Sequence, residues 1–248
     1  MCAIGVMAKA PQPGLAKTRL CPPLNPAQAA ELSAAFLRDI TENIALAAQA
    51  VPIHGCIAYA PAGAEGWFTG HIADGTSLVL ADGAPPMPPG VRGFGRCLLH
   101  AAQAILAAGF GAACLVNSDS PTLPTALLRQ AADALLARGE RIVLGPADDG
   151  GYYLLGMQRP YAHLFADIAW STGDVAAATC ERATALGLEV LTQPTWYDVD
   201  DAESLARLLA ELAGTAASVA ALRPYAAPAT RGCIERIALS ERLGIAAQ

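Results

Sequence analysis

The loop between Ala8 and Leu20 concentrates the basic chemistry of this sequence. Lys9 and Lys17 are the only lysines among 248 residues, and Arg19 adds a planar guanidinium after the turn at Gly14. These groups could bind phosphate oxygens, although a surface loop with solvated charges is the alternative. The loop is not a P-loop, because that motif needs two framing glycines and a helix that follows immediately.

Acidic residues follow two other segments. Asp119 lies in a Ser-Asp-Ser-Pro turn directly after the apolar run 112–116, and Asp198 and Asp200 alternate in a second acidic stretch. Such carboxylates could hold a hard cation, Mg²⁺ or Mn²⁺, which also takes water and phosphate oxygens. Alternatively, Asp119 caps its own turn, and Asp200 or Asp201 caps the helix that follows. For Asp201 we favour the cap.

A third polar stretch contains Asp148, Asp149, Gly150 and Gly151. Asp-Gly and Gly-Gly pairs supply the positive φ angles of tight hairpins, so a simple turn is one interpretation. The other is close approach of the backbone to a ligand, with Tyr152 or Tyr153 stacking on it. The sequence leaves these two interpretations open.

Composition excludes several classes of protein. The net charge of −6 argues against a nucleic-acid surface, and no apolar run reaches the roughly 20 residues of a membrane span. The apolar start is too short for a signal peptide. We therefore expect a soluble, cytoplasmic protein with neither a nucleic-acid nor a membrane partner.

Histidines and cysteines do not form a recognisable site in the sequence. The four histidines are isolated, and no G-x-S-x-G elbow surrounds a serine. The seven cysteines are odd in number, scattered and without a C-x-x-C pair, which disfavours disulfides and structural zinc. They are Cys2, Cys21, Cys56, Cys97, Cys114, Cys180 and Cys233. Most are expected to be small core residues of a reduced protein.

Strand and helix patterns alternate along the chain. The predicted strands are 3–7, 51–60, 77–80, 112–116, 141–144, 152–155 and 188–191, and the predicted helices are 26–50, 96–108, 124–138, 173–186 and 201–212. This alternation predicts an α/β fold with a mostly parallel sheet covered by helices on both faces. Ligands of such sheets bind beyond the carboxyl ends of the strands, where the polar stretches described above lie.

The alternation of strand and helix patterns ends after residue 213. Residues 1–213 are predicted to form a single domain, and residues 214–248 a C-terminal helical appendage interrupted by Pro224, Pro228 and Gly232. The pattern does not decide whether this appendage docks on its own chain or on a neighbour, and the oligomeric state is equally open.

Several motifs in this order resemble a known family. They are MAKAPQPGLAKTRL (7–20), SDSPTLP (118–124), LGPADDGGYYLLG (144–156), WST (170–172) and DVD (198–200). Over residues 4–212 they resemble DUF2064, a bacterial family of glycosyltransferase-A-like proteins. This family is similar to phospholactate guanylyltransferase and, more distantly, to molybdenum-cofactor nucleotidyltransferases.

The resemblance implies a nucleotide-diphospho-sugar transferase fold, a Rossmann-like three-layer α/β/α sandwich. It further implies that a nucleoside triphosphate or nucleotide sugar binds over the first loop. By this likeness, Lys9, Gly14, Lys17 and Arg19 would contact the nucleotide, Asp119 and Asp200 would hold the metal, and Asp149, Gly150, Gly151 and Tyr152 would bind the acceptor. Lys17 and Asp119 would carry catalysis.

The chain departs from the family pattern in two places. Relatives commonly have an acidic DLGER-like stretch where this chain has Gly93-Phe94-Gly95-Arg96-Cys97, and Asn117 stands where a glycine is expected. The resulting hypothesis is a metal-dependent transferase that moves a nucleotidyl or glycosyl group from a nucleotide donor to a small acceptor. The alternative is an inactive nucleotide-binding or partner protein of the same fold.

Overall fold

Seven β-strands pair into one sheet in the computed structural model, which describes residues 1–215 and 222–238. The five inner strands are largely buried, and the two edge strands are partly exposed. The strands are β1 (Cys2–Lys9), β2 (Ile53–Ala60), β3 (Ser77–Leu80), β4 (Ala112–Asn117), β5 (Arg141–Pro146), β6 (Tyr152–Met157) and β7 (Glu189–Thr192). Their order across the sheet is β3-β2-β1-β4-β6-β5-β7. Only β6 runs antiparallel to its neighbours, β4 and β5, so the predicted mostly parallel sheet is confirmed.

Helices cover both faces of the sheet. They are α1 (Pro26–Ala48), α2 (Phe94–Ala107), α3 (Thr125–Leu136), α4 (Val175–Ala185), α5 (Ala202–Leu212) and α6 (Pro228–Arg236). One apolar core joins the sheet to α1, α3, α5 and α6, and a second joins its other face to α2 and α4. The three-layer α/β/α prediction is therefore correct.

Local sequence explains where α1 begins. Asn25 accepts a hydrogen bond from the Gln28 N–H at 3.0 Å, and the Gln28 side chain accepts one from the Asn25 N–H at the same distance. Pro26 follows at the first helical position, where its missing N–H costs nothing. This capping box fixes the direction in which the loop from β1 enters the helix.

The parallel strands bring their carboxyl ends to one edge of the sheet. Lys9 ends β1, Asn117 ends β4 and Pro146 ends β5. Because β6 runs the opposite way, its first residue, Tyr152, lies at this edge as well and pairs with Pro146. The loops that carry the predicted site residues therefore start at the same edge of the sheet.

The described part of the predicted appendage packs against its own chain. Helix α6 contributes Cys233 and Ile234 to the core that contains α1. Its first N–H groups, those of Ala229 and Thr230, donate to the buried Asp39 carboxylate at 3.0 and 2.7 Å. Residues 216–221 and 239–248 of that segment lie outside the described residues, and the domain boundary at residue 213 stays a prediction.

Two expectations from the sequence concern the pairing of the cysteines and the presence of membrane-spanning helices. All seven cysteines lie within this part of the chain, and none of them forms a disulfide. Among the residues described, no helix has the length and apolarity needed to cross a membrane.

Candidate functional site

A cavity of about 470 Å³ opens at the carboxyl edge of the sheet. The loop after β1, the loop after β4, the β5–β6 hairpin and the segment before α5 all contribute to its wall. Of the predicted site residues it is lined by Lys9, Lys17, Arg19, Asp119, Asp149, Gly151, Tyr152 and Asp200. Long-range folding thus assembles groups that are up to 191 positions apart in the sequence.

Lys17 lies at the centre of the charged side of this cavity. Its Nζ is 2.9 Å from Asp119 Oδ1 and 3.0 Å from Asp200 Oδ1, and it donates to the Val199 carbonyl oxygen at 2.6 Å. The side chain is only 7 % exposed, and the ammonium lies 5.8 Å from the ring centroid of Phe36. Lys17 therefore joins the two acidic segments through one buried cation.

The backbone around Lys17 explains this inward orientation. Lys17 itself has φ +50°, a left-handed conformation that is uncommon outside glycine. It precedes a single 3₁₀ turn, Thr18–Leu20, whose last side chain is fully buried. The buried leucine and the three contacts of the ammonium together hold the loop after β1 against the site.

Asp119 is held by its neighbours as well as by Lys17. The Ser118 hydroxyl donates to Asp119 Oδ1 at 2.8 Å, and the Val199 N–H donates to the Asp119 carbonyl oxygen at 2.9 Å. Ser120 is buried and donates to the Tyr197 carbonyl oxygen at 2.8 Å. These bonds connect the loop that carries Asp119 to the segment that carries Asp200.

Asp200 has positively charged partners on both oxygens. Lys17 contacts Oδ1, and the exposed guanidinium of Arg19 forms an ion pair with Oδ2. Asp201, by contrast, accepts a hydrogen bond from the Ser204 N–H at 2.9 Å in a capping box that starts α5. The prediction that Asp201 caps this helix is thus confirmed.

Burial and charge act against each other at Lys17. Burial alone lowers its pKa, but the carboxylates of Asp119 and Asp200 outweigh this effect, and the pKa is raised above its ordinary value. Lys17 is therefore a protonated ammonium at neutral pH. This positive charge lies between the two carboxylates and offsets one of their two negative charges.

Asp198, a candidate carboxylate to which the family resemblance gave no role, also lies in the site. It lines the cavity, and its pKa is raised to about 6 by burial first and then by the carboxylates of Asp200, Asp149 and Asp119. The alternation of Asp198 and Asp200 was the signal available in the sequence, because residues i and i+2 of an extended segment share a face.

The hairpin between β5 and β6 forms another part of the wall. Gly150 has φ +88°, and the Gly151 N–H donates to Asp149 Oδ1 at 2.8 Å, as expected for a tight turn. Asp149, Gly151 and Tyr152 line the cavity. Gly150 instead packs against the carbonyl of Gly173, and Gly14 is an exposed turn residue. A role of this hairpin in acceptor binding stays a prediction.

The segment that departs from the family pattern also reaches the cavity. Phe94 lines it while 48 % exposed, and its ring meets the Trp170 ring edge-on with centroids 5.8 Å apart. A Cβ added at Gly95 would come within 2.7 Å of the indole, so glycine is required there. Tyr153, which we considered for stacking, is fully buried in the core.

The carboxylates suit a small divalent cation in their chemistry. Asp119 and Asp200 supply oxygen ligands that are no more than about 6 Å apart, since each lies about 3 Å from the same nitrogen. Mg²⁺ commonly takes one or two carboxylates and completes its shell with water and phosphate oxygens. Within residues 1–215 and 222–238, no group of three or more Asp, Glu, His or Cys side chains is arranged to hold a metal without such added ligands.

Comparison with protein families yields one match. Residues 43–172, just over half of the chain, match the family described as an uncharacterized protein conserved in bacteria, DUF2064. This confirms the resemblance inferred from the motifs. No curated protein matches the sequence.

Several solved structures align with this chain. A proposed nucleotide-diphospho-sugar transferase from Desulfovibrio desulfuricans G20 aligns with a TM-score of 0.74 and 25% identity, over 98% of this chain and 97% of that one. CMP:2-keto-3-deoxy-manno-octonic acid synthetase in complex with CTP aligns with a TM-score of 0.52 and 11% identity, over 87% and 99%. Rv0371c from Mycobacterium tuberculosis H37Rv in complex with manganese aligns with a TM-score of 0.45 and 19% identity, over 84% and 97%. The first alignment confirms the nucleotide-diphospho-sugar transferase fold.

Proposed function

The chain belongs to the DUF2064 family of bacterial proteins, and from this premise we propose that it is a metal-dependent transferase acting on a nucleotide donor. It moves either a nucleotidyl or a glycosyl group to a small acceptor. The reaction takes place in the cytoplasm and involves neither nucleic acid nor a membrane.

One observation carries the proposal: two basic and two acidic side chains converge at the carboxyl edge of a parallel sheet. Lys17 and Arg19 meet Asp119 and Asp200 inside one cavity. Cationic side chains suit the phosphates of a nucleotide, and a pair of carboxylates beside them suits a cation that bridges protein and phosphate. The similar structures from D. desulfuricans and of the CTP-bound synthetase support a nucleotide as the donor.

Each charged residue has a part in the reaction. Lys17 and Arg19 bind the phosphates and orient the donor, with Lys9 at the rim of the same cavity. Asp119 and Asp200 would hold a Mg²⁺ or Mn²⁺ ion, which would supply neutralisation of charge on the phosphate oxygens. Asp149, Gly151 and Tyr152, which line the same cavity, would bind the acceptor. Positioning and electrostatics supply the rate, so the mechanism requires no covalent intermediate on the protein.

Nucleotidyl transfer and glycosyl transfer differ in the bond that breaks. In nucleotidyl transfer, an acceptor phosphate oxygen attacks the α-phosphorus of a nucleoside triphosphate, and pyrophosphate leaves. In glycosyl transfer, an acceptor hydroxyl attacks the anomeric carbon of a nucleotide sugar, and the nucleoside diphosphate leaves. The same cations face the leaving phosphates in both cases.

A second candidate is a metal-independent nucleotide-binding protein of the same fold. The observation in its favour is that Lys17 already forms ion pairs with both carboxylates. Such a protein would bind nucleotide through Lys17 and Arg19 and would respond equally with and without divalent cations.

A thermal-shift panel separates these functions. The protein is melted with each common nucleoside triphosphate and nucleotide sugar, with Mg²⁺ and with EDTA. A donor present at a hundredfold excess over its Kd adds about 2.7 kcal/mol to the free energy of unfolding. Stabilisation by one donor class only with Mg²⁺ supports the transferase and identifies the donor, and equal stabilisation in EDTA supports the metal-independent protein. No stabilisation by any nucleotide would overturn both.

A further inference from the structure

The hydrogen-bonding capacity of Lys17 is fully used within the protein. An ammonium group has three N–H donors. Three acceptors surround Nζ, namely Val199 O at 2.6 Å, Asp119 Oδ1 at 2.9 Å and Asp200 Oδ1 at 3.0 Å. In this state Lys17 has no donor left for a phosphate oxygen, although its position in the cavity suits one.

Both acidic partners take part in this contact. Asp119 Oδ1 accepts from both Lys17 and the Ser118 hydroxyl. Asp200 meets Lys17 with one oxygen and Arg19 with the other. A divalent cation that bridges Asp119 Oδ1 and Asp200 Oδ1 would need both oxygens at about 2.1 Å. It would therefore occupy the position between them that the Lys17 ammonium now takes. Two cations cannot share that position, because their repulsion in a partly buried site is strong.

We infer that Lys17 is an internal competitor of the divalent cation for Asp119 and Asp200, so that cation binding requires the Lys17 ammonium to leave the carboxylate pair. The inference rests on the proposed function, because it takes from it the metal and the two ligands. On this inference, Lys17 becomes available to phosphate when it leaves the carboxylate pair.

This arrangement couples two binding events. A cation that displaces Lys17 frees its three N–H donors for phosphate oxygens. By reciprocity, a phosphate that attracts Lys17 leaves Asp119 and Asp200 open to the cation. Lys17 thereby offsets part of the carboxylate charge until the donor and the metal bind together.

Affinity for Mn²⁺ alone provides the first test. Free Mn²⁺ is measured by electron paramagnetic resonance in titrations of the wild type, Lys17→Met and Lys9→Met. Methionine keeps the apolar stem beside Phe36 and removes the charge. Lys9 is an exposed lysine that lines the same cavity, so its replacement controls for a general change in charge. We expect at least tenfold tighter binding in Lys17→Met and less than threefold change in Lys9→Met.

The wild-type protein provides a second test that does not depend on any variant folding. Since the chain has only two lysines, ¹⁵N-lysine labelling gives two side-chain ammonium signals, and Lys9→Arg identifies which is which. We expect the buried Lys17 signal to be protected from exchange without metal, and to lose that protection when Mg²⁺ is added. The Lys9 signal serves as the reference.

The outcomes distinguish this inference from the proposed function. Equal Mn²⁺ affinity in the wild type and Lys17→Met, including no binding by either, overturns the inference. So does Mg²⁺ binding that leaves the Lys17 signal protected. The transferase proposal survives these results if the nucleotide panel still shows Mg²⁺-dependent stabilisation. Conversely, tight Mn²⁺ binding by Lys17→Met with no response to any nucleotide supports the competition and rejects the transferase.

Discussion

The main-chain N–H of Val199 donates a hydrogen bond to the carbonyl oxygen of Asp119 at 2.9 Å. Together with the bond from Ser120 to the Tyr197 carbonyl, it joins two loops that are far apart in the sequence. The separation of the Asp119 and Asp200 carboxylates is therefore set by backbone contacts as well as by Lys17. A change in one carboxylate should alter the chemistry of the site without separating the loops.

Replacing Asp119 by Asn is expected to remove the effect of the metal. The amide keeps an oxygen acceptor for Lys17 and Ser118, but it loses the charge that attracts a divalent cation. We expect the Mg²⁺-dependent part of the stabilisation by the nucleotide donor to disappear in Asp119→Asn. The measurement is the melting temperature with the donor, with and without Mg²⁺.

Asp133→Asn is the matched control for this substitution. It makes the same change from carboxylate to amide on the exposed side of α3. Its response to Mg²⁺ should equal that of the wild type. A metal response that persists in Asp119→Asn would show that the cation binds elsewhere.

The raised pKa of Asp198 predicts that the stability of the protein depends on pH. Its pKa is raised from 3.8 to about 6 in the folded protein, chiefly by burial. Below pH 3.8 the group is protonated in both states and costs nothing. Between pH 3.8 and pH 6 Asp198 ionises in the unfolded state before it does so in the folded state, so the free energy of unfolding falls as the pH rises. Above pH 6 this loss of stability reaches its full size. Asp198→Asn should therefore be more stable than the wild type by about 1–2 kcal/mol at pH 7.5.

The test of this prediction is denaturation by urea in EDTA at several pH values. The advantage of Asp198→Asn should shrink as the pH falls below 6 and vanish near pH 4. A stability difference that is the same at every pH would mean that the charge of Asp198 is not its origin.

Elements with local signals could be predicted closely from the sequence. The capping box of Asn25 and Gln28, with Pro26 at the first helical position, fixed the start of α1 at the predicted residue. The helix ends two residues earlier than predicted, at Ala48. Pro52 marks the end only to within a few residues, and no glycine stands at the C-terminus of the helix to place it more closely. The short 3₁₀ turns at 65–68 and 162–165 were not predicted, because so few residues give no periodicity.

Residues whose role depends on distant partners could be only partly predicted. The sequence indicated that Lys17 and Asp119 belong to a site, because both follow buried strands. It could not indicate that Lys17 is saturated by three acceptors, two of them more than 180 positions away. In the same way, nothing near Gly150 shows that its Cα faces the carbonyl of Gly173.

Gly150→Ala is expected to destabilise the protein strongly. Its φ of +88° disfavours any side chain, and an added Cβ would lie 1.9 Å from the Gly173 carbonyl oxygen, so the backbone must move. We expect a loss of more than about 3 kcal/mol in the free energy of unfolding, measured by urea denaturation. Gly109→Ala has a similar φ of +93° but open space around the added carbon, and should lose only about 1 kcal/mol. Equal losses would show that the contact with Gly173 has no effect.

The attachment of α6 to α1 depends on a buried carboxylate. Asp39 is fully buried and accepts hydrogen bonds from the first N–H groups of α6. Burial raises its pKa, and those hydrogen bonds oppose the shift without cancelling it. In Asp39→Ala two backbone donors lose their acceptor, which costs about 1–3 kcal/mol for each group that stays buried. We therefore expect the free energy of unfolding to fall by about 2–4 kcal/mol.

A second contact between the same helices provides the control for Asp39→Ala. Arg236 of α6 forms an exposed ion pair with Glu31 of α1 at 2.9 Å, and such pairs contribute at most about 1 kcal/mol. Glu31→Gln should therefore change stability by less than that amount and leave α6 in place. Limited trypsin digestion after Arg231 distinguishes the two variants, because this bond lies within α6 and should become accessible only in Asp39→Ala. If both variants resist trypsin like the wild type, the apolar contacts of Cys233 and Ile234 are sufficient to hold α6, and the buried carboxylate is not what attaches it.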